Sequence, residues 1–145
     1  MRLLKKTPRV KKIAESDLST PIRRFLNNEG CTHVKQELQF FDRSIDLYGG
    51  ACGEEGKTIA VELKLTKWQK ALQQAALYQL CCDYAYVAMP QKVATALELA
   101  TFRAAGIGIL AVDTSSDTVQ VLLPAILSKR SNAHHIGACK EMLRR

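Results

Sequence analysis

A strand of the buried type that carries its own charges constrains this chain more than any other feature. Residues 58–65 read Thr58, Ile59, Ala60, Val61, Glu62, Leu63, Lys64 and Leu65, an apolar run holding a carboxylate and an ammonium two residues apart. Strand side chains alternate between faces, so Glu62 and Lys64 share one face while Val61, Leu63 and Leu65 share the other. Residues 44–48 repeat the pattern, with Asp46 standing between Ile45 and Leu47. The glycine-rich stretch 49–57 between the two runs reads as a hairpin loop. Pairing these strands brings Asp46 alongside Glu62, and two carboxylates and a lysine converge.

Such a convergence needs a physical reason. Buried charges without partners cost several kcal/mol each, against a total stability of roughly 5–15 kcal/mol. Two adjacent carboxylates also repel, which raises the pKa of one unless a cation lies between them. Mg²⁺ resolves the conflict: one or two carboxylates hold it and its other positions go to water and substrate phosphate. The lysine then orients a water or stabilises charge on the phosphate under attack. The alternative is a Glu62–Lys64 pair on the solvated face of a half-exposed strand. Asp46 on the preceding strand tips the balance toward a metal site.

At 145 residues the chain is sized for one domain with its own core, and 47% hydrophobic with 24% charged residues is a globular composition. The five cysteines (Cys31, Cys52, Cys81, Cys82, Cys139) are odd in number and form no CxxC pair. No apolar segment follows the basic N-terminus and none reaches the length of a membrane span, so the expectation is a cytoplasmic protein with reduced thiols and no membrane partner. A zinc site from Cys31, His33 and Cys52 fits no known ligand spacing. The net charge of +7 is unevenly placed. Arg2, Lys5, Lys6, Arg9, Lys11 and Lys12 precede any acid, and Lys129, Arg130, Lys140, Arg144 and Arg145 face only Glu141 after residue 127, leaving 10 basic and 13 acidic groups between. A slightly acidic body with basic ends (1–12 an arm, 13–127 the domain, 128–145 a tail or short helix) suits a phosphate backbone, although solvated tails have the same look.

In order, residues 15–30 read as a helix with Leu18, Ile22, Phe25 and Leu26 inward, capped by Ser16 or by Thr20 with Pro21 at its first position, and stopped by Gly30. Residues 31–41 make a first strand carrying Glu37. Thr66 caps a second helix to about Cys82, with Trp68, Leu72, Ala75, Ala76, Gln79 and Leu80 on the sheet and Lys67, Lys70, Gln74 and Tyr78 on a neighbouring stripe. Residues 84–89 form a strand, 91–105 a third helix with Val93, Ala96, Leu97 and Ala100 inward, and 107–112 and 118–123 the last strands. The order α-β-β-β-α-β-α-β-β is an α/β mixed sheet flanked by helices.

The ordered set of a helix, a Glu37 strand, an Ile45-Asp46 strand, a Glu62-x-Lys64 strand and a helix bearing Gln74-Ala75 resembles the PD-(D/E)xK nuclease superfamily, with its restriction-endonuclease-like fold. The likeness covers roughly residues 15–112. The residue before Asp46 is Ile45 rather than the proline of the superfamily's name. The resemblance implies that Asp46 and Glu62 bind Mg²⁺ or Mn²⁺ and that Lys64 positions the attacking water. It also makes Glu37 an accessory acid near the metal and Gln74 a residue that steadies the site or touches the substrate backbone; Glu15 matches an acid that some members carry on the first helix. Glu37 facing water and Gln74 as a solvated helix residue are the structural alternatives, and Glu54 and Glu55 read as loop surface.

The function this points to is metal-dependent hydrolysis of phosphodiester bonds in nucleic acid, DNA ahead of RNA. Lys5, Lys6, Arg9, Lys11, Lys12, Lys67 and Lys70 would hold the backbone, and Trp68 or Tyr78, if exposed, would stack on bases. So small a chain would need a homodimer or a partner to choose its target. The alternatives are a catalytically silent nucleic-acid-binding or assembly module on the same fold, and a plain interaction domain with a structural Glu62–Lys64 pair.

Overall fold

The structure, a computed structural model, describes residues 12–51 and 56–145. Six strands form one open sheet in the order β1-β2-β3-β4-β5-β6, so every strand lies beside its neighbour in sequence. β1 (His33–Phe40), β2 (Arg43–Gly50) and β3 (Thr58–Leu63) make an antiparallel meander. β4 (Tyr84–Pro90) and β5 (Gly108–Asp113) follow β3 in parallel through helical crossovers, and β6 (Thr118–Leu123) returns antiparallel. β3, β4 and β5 are covered on both faces and are accordingly near-continuous apolar runs, whereas the edge strand β6 is mostly exposed and alternates.

Alternation divides the core in two. α1 (Ser16–Asn28) covers one face, where Leu18, Ile22 and Leu26 meet Leu47, Val61, Leu63, Ala88 and Leu110. The other face carries α2 (Trp68–Tyr78), α3 (Gln91–Ala94), α4 (Leu99–Ala105) and α5 (Ala133–Leu143), packed on Tyr48, Ala60, Val87, Met89 and Ile109. Ala71 and Ala75, small and fully buried, let α2 lie close to β3 and β4. Gly108 is required by a close approach: a Cβ there would run into the Tyr86 ring and the backbone of Ala125. Among the described residues no helix is long and apolar enough to cross a membrane.

Several expectations are corrected. The predicted helix over 91–105 is two, broken where Glu98 takes an extended conformation (φ −79°, ψ 109°) and Phe102 turns fully inward against Trp68. Ala96 and Ala100 therefore face solvent. Gly106 does end α4, in the left-handed region at φ 74°. Neither Ser16 nor Thr66 caps its helix; the N-cap positions are Glu15 and Lys67, without side-chain caps, and Pro21 lies inside α1. Of the residues expected inward on α2, Ala75 and Gln79 are buried and Trp68, Leu72, Ala76 and Leu80 are partly buried against the core; Ala71 and Tyr78 are buried as well. The end of the chain is a docked helix: Ser128 N and Asn132 N donate to Asp83 O and Leu80 O, and Cys139 of α5 is fully buried. The observed order is thus α-β-β-β-α-β-α-α-β-β-α.

Candidate functional site

β2 and β3 pair with Leu47 opposite Val61, and one step further toward the tip of the β1–β2 hairpin lie Asp46 and Glu62. The two carboxyl groups are close enough to share a hydrogen bond. Asp46 Oδ2 also accepts from Leu63 N at 2.8 Å, which fixes the aspartate across the end of β3.

A local reversal of the pleat sets Asp46 apart. In the β1–β2 ladder Gln36 pairs with Leu47 and Leu38 with Ile45, but Glu37 and Asp46 between them are unpaired. Gln36 reaches Ser19 of α1 and Leu47 packs under the same helix, while Leu38 and Ile45, two residues away on each strand, pack on the opposite face. Both strands therefore change face across Glu37 and Asp46. Glu37 does so with φ 53°, a conformation that costs a non-glycine residue about 1 kcal/mol or more. The reversal leaves Asp46 lining a cleft of about 290 Å³ together with Glu15, Ser16, Ser19, Gln36, Glu37 and Leu63.

Glu62 approaches from the other face. It is only 6% exposed, and its Oε1 accepts from the Tyr78 hydroxyl at 2.8 Å. Burial first, then the hydrogen bond and charge of Asp46, push the Glu62 carboxyl from 4.5 up to about 8, with Tyr78 and Lys64 pulling it back. The same environment raises the Tyr78 phenol, through burial and then the Glu62 charge. Lys64 is half-buried one residue past β3, its backbone N donating to Ala88 O at 3.0 Å, and its charge is felt at Glu62.

Asp46 and Glu62 are thus brought together, with the Lys64 charge reaching Glu62, and Glu37 and Glu15 join Asp46 in the cleft but not Glu62. Gln74 is half-buried one helical turn before Tyr78, on the stripe that reaches Glu62. Lys67 and Lys70 are exposed at the start of α2, and Lys12 is exposed before α1. Lys5, Lys6, Arg9, Lys11, Cys52, Glu54 and Glu55 lie outside the described residues. Sequence reasoning missed Tyr78 as a site residue: it is 1% exposed and cannot stack on a base, and Trp68 packs against Phe102 with ring centroids 6.0 Å apart. The signal that could have found Tyr78 is its spacing of four from Gln74. Arg43 was also missed; its charge is felt at Tyr78.

Hard oxygen donors suit Mg²⁺ or Mn²⁺, and a pair of carboxylates squeezed together until one holds a proton to about 8 is the electrostatic state that a divalent ion relieves. Among the described residues no three His, Cys, Asp or Glu side chains form a metal-binding group. Any ion here would therefore take two protein carboxylates and complete its shell from water and substrate, the usual habit of Mg²⁺.

No protein-family model matches the chain, and no curated protein matches it. Among solved structures the fold is similar to that of the SPO1766 protein of unknown function from Silicibacter pomeroyi, with a TM-score of 0.69 at 16% identity, covering 93% of this chain and 86% of that one. Likeness at this identity speaks to the fold alone.

Proposed function

We propose that the chain is a metal-dependent nuclease of the PD-(D/E)xK type on a restriction-endonuclease-like sheet, hydrolysing phosphodiester bonds in nucleic acid, DNA ahead of RNA. The observation that carries this reading is the Glu62 carboxyl, 6% exposed and pressed against Asp46 at the end of a central strand. Two ionised carboxylates at this distance repel, and a cation between them relieves that repulsion. Asp46 and Glu62 would hold Mg²⁺ or Mn²⁺, with Glu37 beside Asp46 in the cleft. A bound ion supplies Lewis-acid chemistry, neutralising charge on the phosphate and easing deprotonation of the attacking water.

The chain's own groups do the rest. Asp46 stays anchored through Leu63 N. Tyr78, one turn on from Gln74, donates to Glu62 and holds it in one rotamer. Lys64 holds the attacking water and stabilises charge developing on the phosphate. Lys67, Lys70 and the basic N-terminal residues take the flanking backbone, and a second copy or a partner supplies target choice.

One observation favours a second reading. A glutamate that keeps its proton to about 8 can donate to Asp46 and needs no ion at neutral pH, as in a catalytically silent nucleic-acid-binding or assembly module. Cleavage assays separate the two. Labelled single-stranded, duplex, flap and branched DNA, each with Mg²⁺ or Mn²⁺, are cut by the wild type and left intact by Asp46→Ala and Lys64→Ala variants that remain folded. Cleavage retained by both variants overturns the nuclease reading.

A further inference from the structure

The two-residue turn of the β1–β2 hairpin places its first residue, Phe41, at φ 55° between the paired Phe40 and Arg43. Tight hairpin turns ask for glycine or asparagine where φ is positive, because a Cβ is crowded there. A phenylalanine is among the least suited residues for the position, and its ring gains little burial: Phe41 is 69% exposed, more than the other large exposed hydrophobic residues described. Strain accepted in order to display an apolar ring points to a use for the ring.

Its surroundings narrow that use. Phe40 and His135 neighbour the ring, with centroids at 4.7 Å and 5.3 Å, and His134 lies 5.9 Å from His135. Arg43 is the next residue but one, exposed, with its charge felt at Tyr78. From Arg43 the strand leads to Asp46 in three residues, about 10 Å, the length of roughly three stacked nucleotides. Asp42 in the turn is the opposing charge. In sequence, ring and guanidinium thus precede Asp46 on β2, with the Arg43 charge reaching Tyr78 on the face from which Glu62 approaches.

We propose that Phe41 is a base-stacking residue that engages an unpaired nucleotide, with Arg43 on the adjoining phosphate, so that the site takes single-stranded or frayed nucleic acid. Stacking on an exposed aromatic requires a free base face, which an intact duplex withholds. This rests on the nucleic-acid reading above, but not on turnover.

The experiment is fluorescence anisotropy of a labelled thymidine homopolymer and of a duplex of equal length, titrated with the full chain in EDTA, alongside thermal unfolding. Phe41→Gly is expected to weaken single-strand binding about tenfold or more while leaving duplex binding unchanged and the unfolding midpoint equal or higher, since the turn is relieved. Phe41→Trp is expected to keep the affinity, and Phe41→Leu, which retains apolar bulk without a ring, to lose it. Wild-type affinity in Phe41→Gly or Phe41→Leu, a fall in midpoint that accompanies the loss of binding, or no single-strand binding by the wild type overturns the assignment. Asp46-dependent cleavage with Phe41-independent binding would sink this inference and leave the nuclease reading standing. Phe41-dependent binding without cleavage would do the reverse.

Discussion

Replacing Glu62 by glutamine should change how stability depends on pH. In the unfolded chain this carboxyl titrates near 4.5, and in the folded protein near 8, because burial and the neighbouring Asp46 disfavour its charge. Below 4.5 both states hold the proton and stability does not depend on it. Between 4.5 and about 8 the unfolded chain has released a proton that the fold retains or gives up at a cost, so stability falls as pH rises, then levels off. At 1.36 kcal/mol per pH unit the ceiling is about 5 kcal/mol. Interaction with a close neighbour spreads the release of the proton over a wider range of pH, so about 2–3 kcal/mol is the expected loss. A glutamine amide keeps the shape, donates to Asp46 as the protonated acid does, and keeps an oxygen for Tyr78. Urea unfolding in EDTA, followed by the fluorescence of Trp68, the single tryptophan, reads the difference. Between pH 5 and 8.5 the wild type should lose about 2–3 kcal/mol more than Glu62→Gln, or about 5–10 °C in midpoint. Parallel curves for the two proteins would refute the electrostatic account of the pair.

Tyr78→Phe removes the 2.8 Å donor to Glu62 and should cost about 1–2 kcal/mol, raise the Glu62 carboxyl further, and weaken Mn²⁺ uptake at pH 7 more than at pH 9, as calorimetry would register. Gly108→Ala forces a methyl into the Tyr86 ring and against Ala125 N, and should destabilise by about 1–3 kcal/mol or more; an unchanged melting curve would contradict the β4–β5 packing. Asp83→Ala strips Thr58 N and Oγ1 of their acceptor at 2.8 Å and 3.1 Å, next to a side chain that is fully buried. The expected cost is about 2–3 kcal/mol, with faster amide exchange at the start of β3 as its signature.

The β2–β3 pairing was legible because period-two alternation and a glycine-rich loop are local signals, and they sufficed to bring Asp46 beside Glu62. The reversal at Glu37 was not legible. No glycine marks the left-handed residue there, and the pattern 34–40 alternates as though the strand kept one face throughout. The α3–α4 break was hidden for a different reason: residues 91–105 contain no glycine or proline and are helical by local preference, and the break accompanies a tertiary contact, the burial of Phe102 against Trp68. On α2 the expected stripe packs against the sheet through Ala75, Gln79, Leu72 and Leu80, but close approach to β3 and β4 also buries Ala71 and Tyr78, which size and spacing alone did not single out. The same close approach turns the Tyr78 hydroxyl, one turn on from Gln74, onto Glu62. The docking of α5 through Cys139 depends on contacts far away in sequence, which no local signal announces.

Titration calorimetry with Mn²⁺ at pH 8.5, where Glu62 has released its proton, tests the shared-ion account most directly. Wild-type protein should take up the ion at the Asp46–Glu62 pair, with uptake weakening about tenfold per pH unit below 8 and vanishing in Asp46→Ala and Glu62→Gln. No uptake by the wild type, or equal uptake by all three proteins, would contradict it.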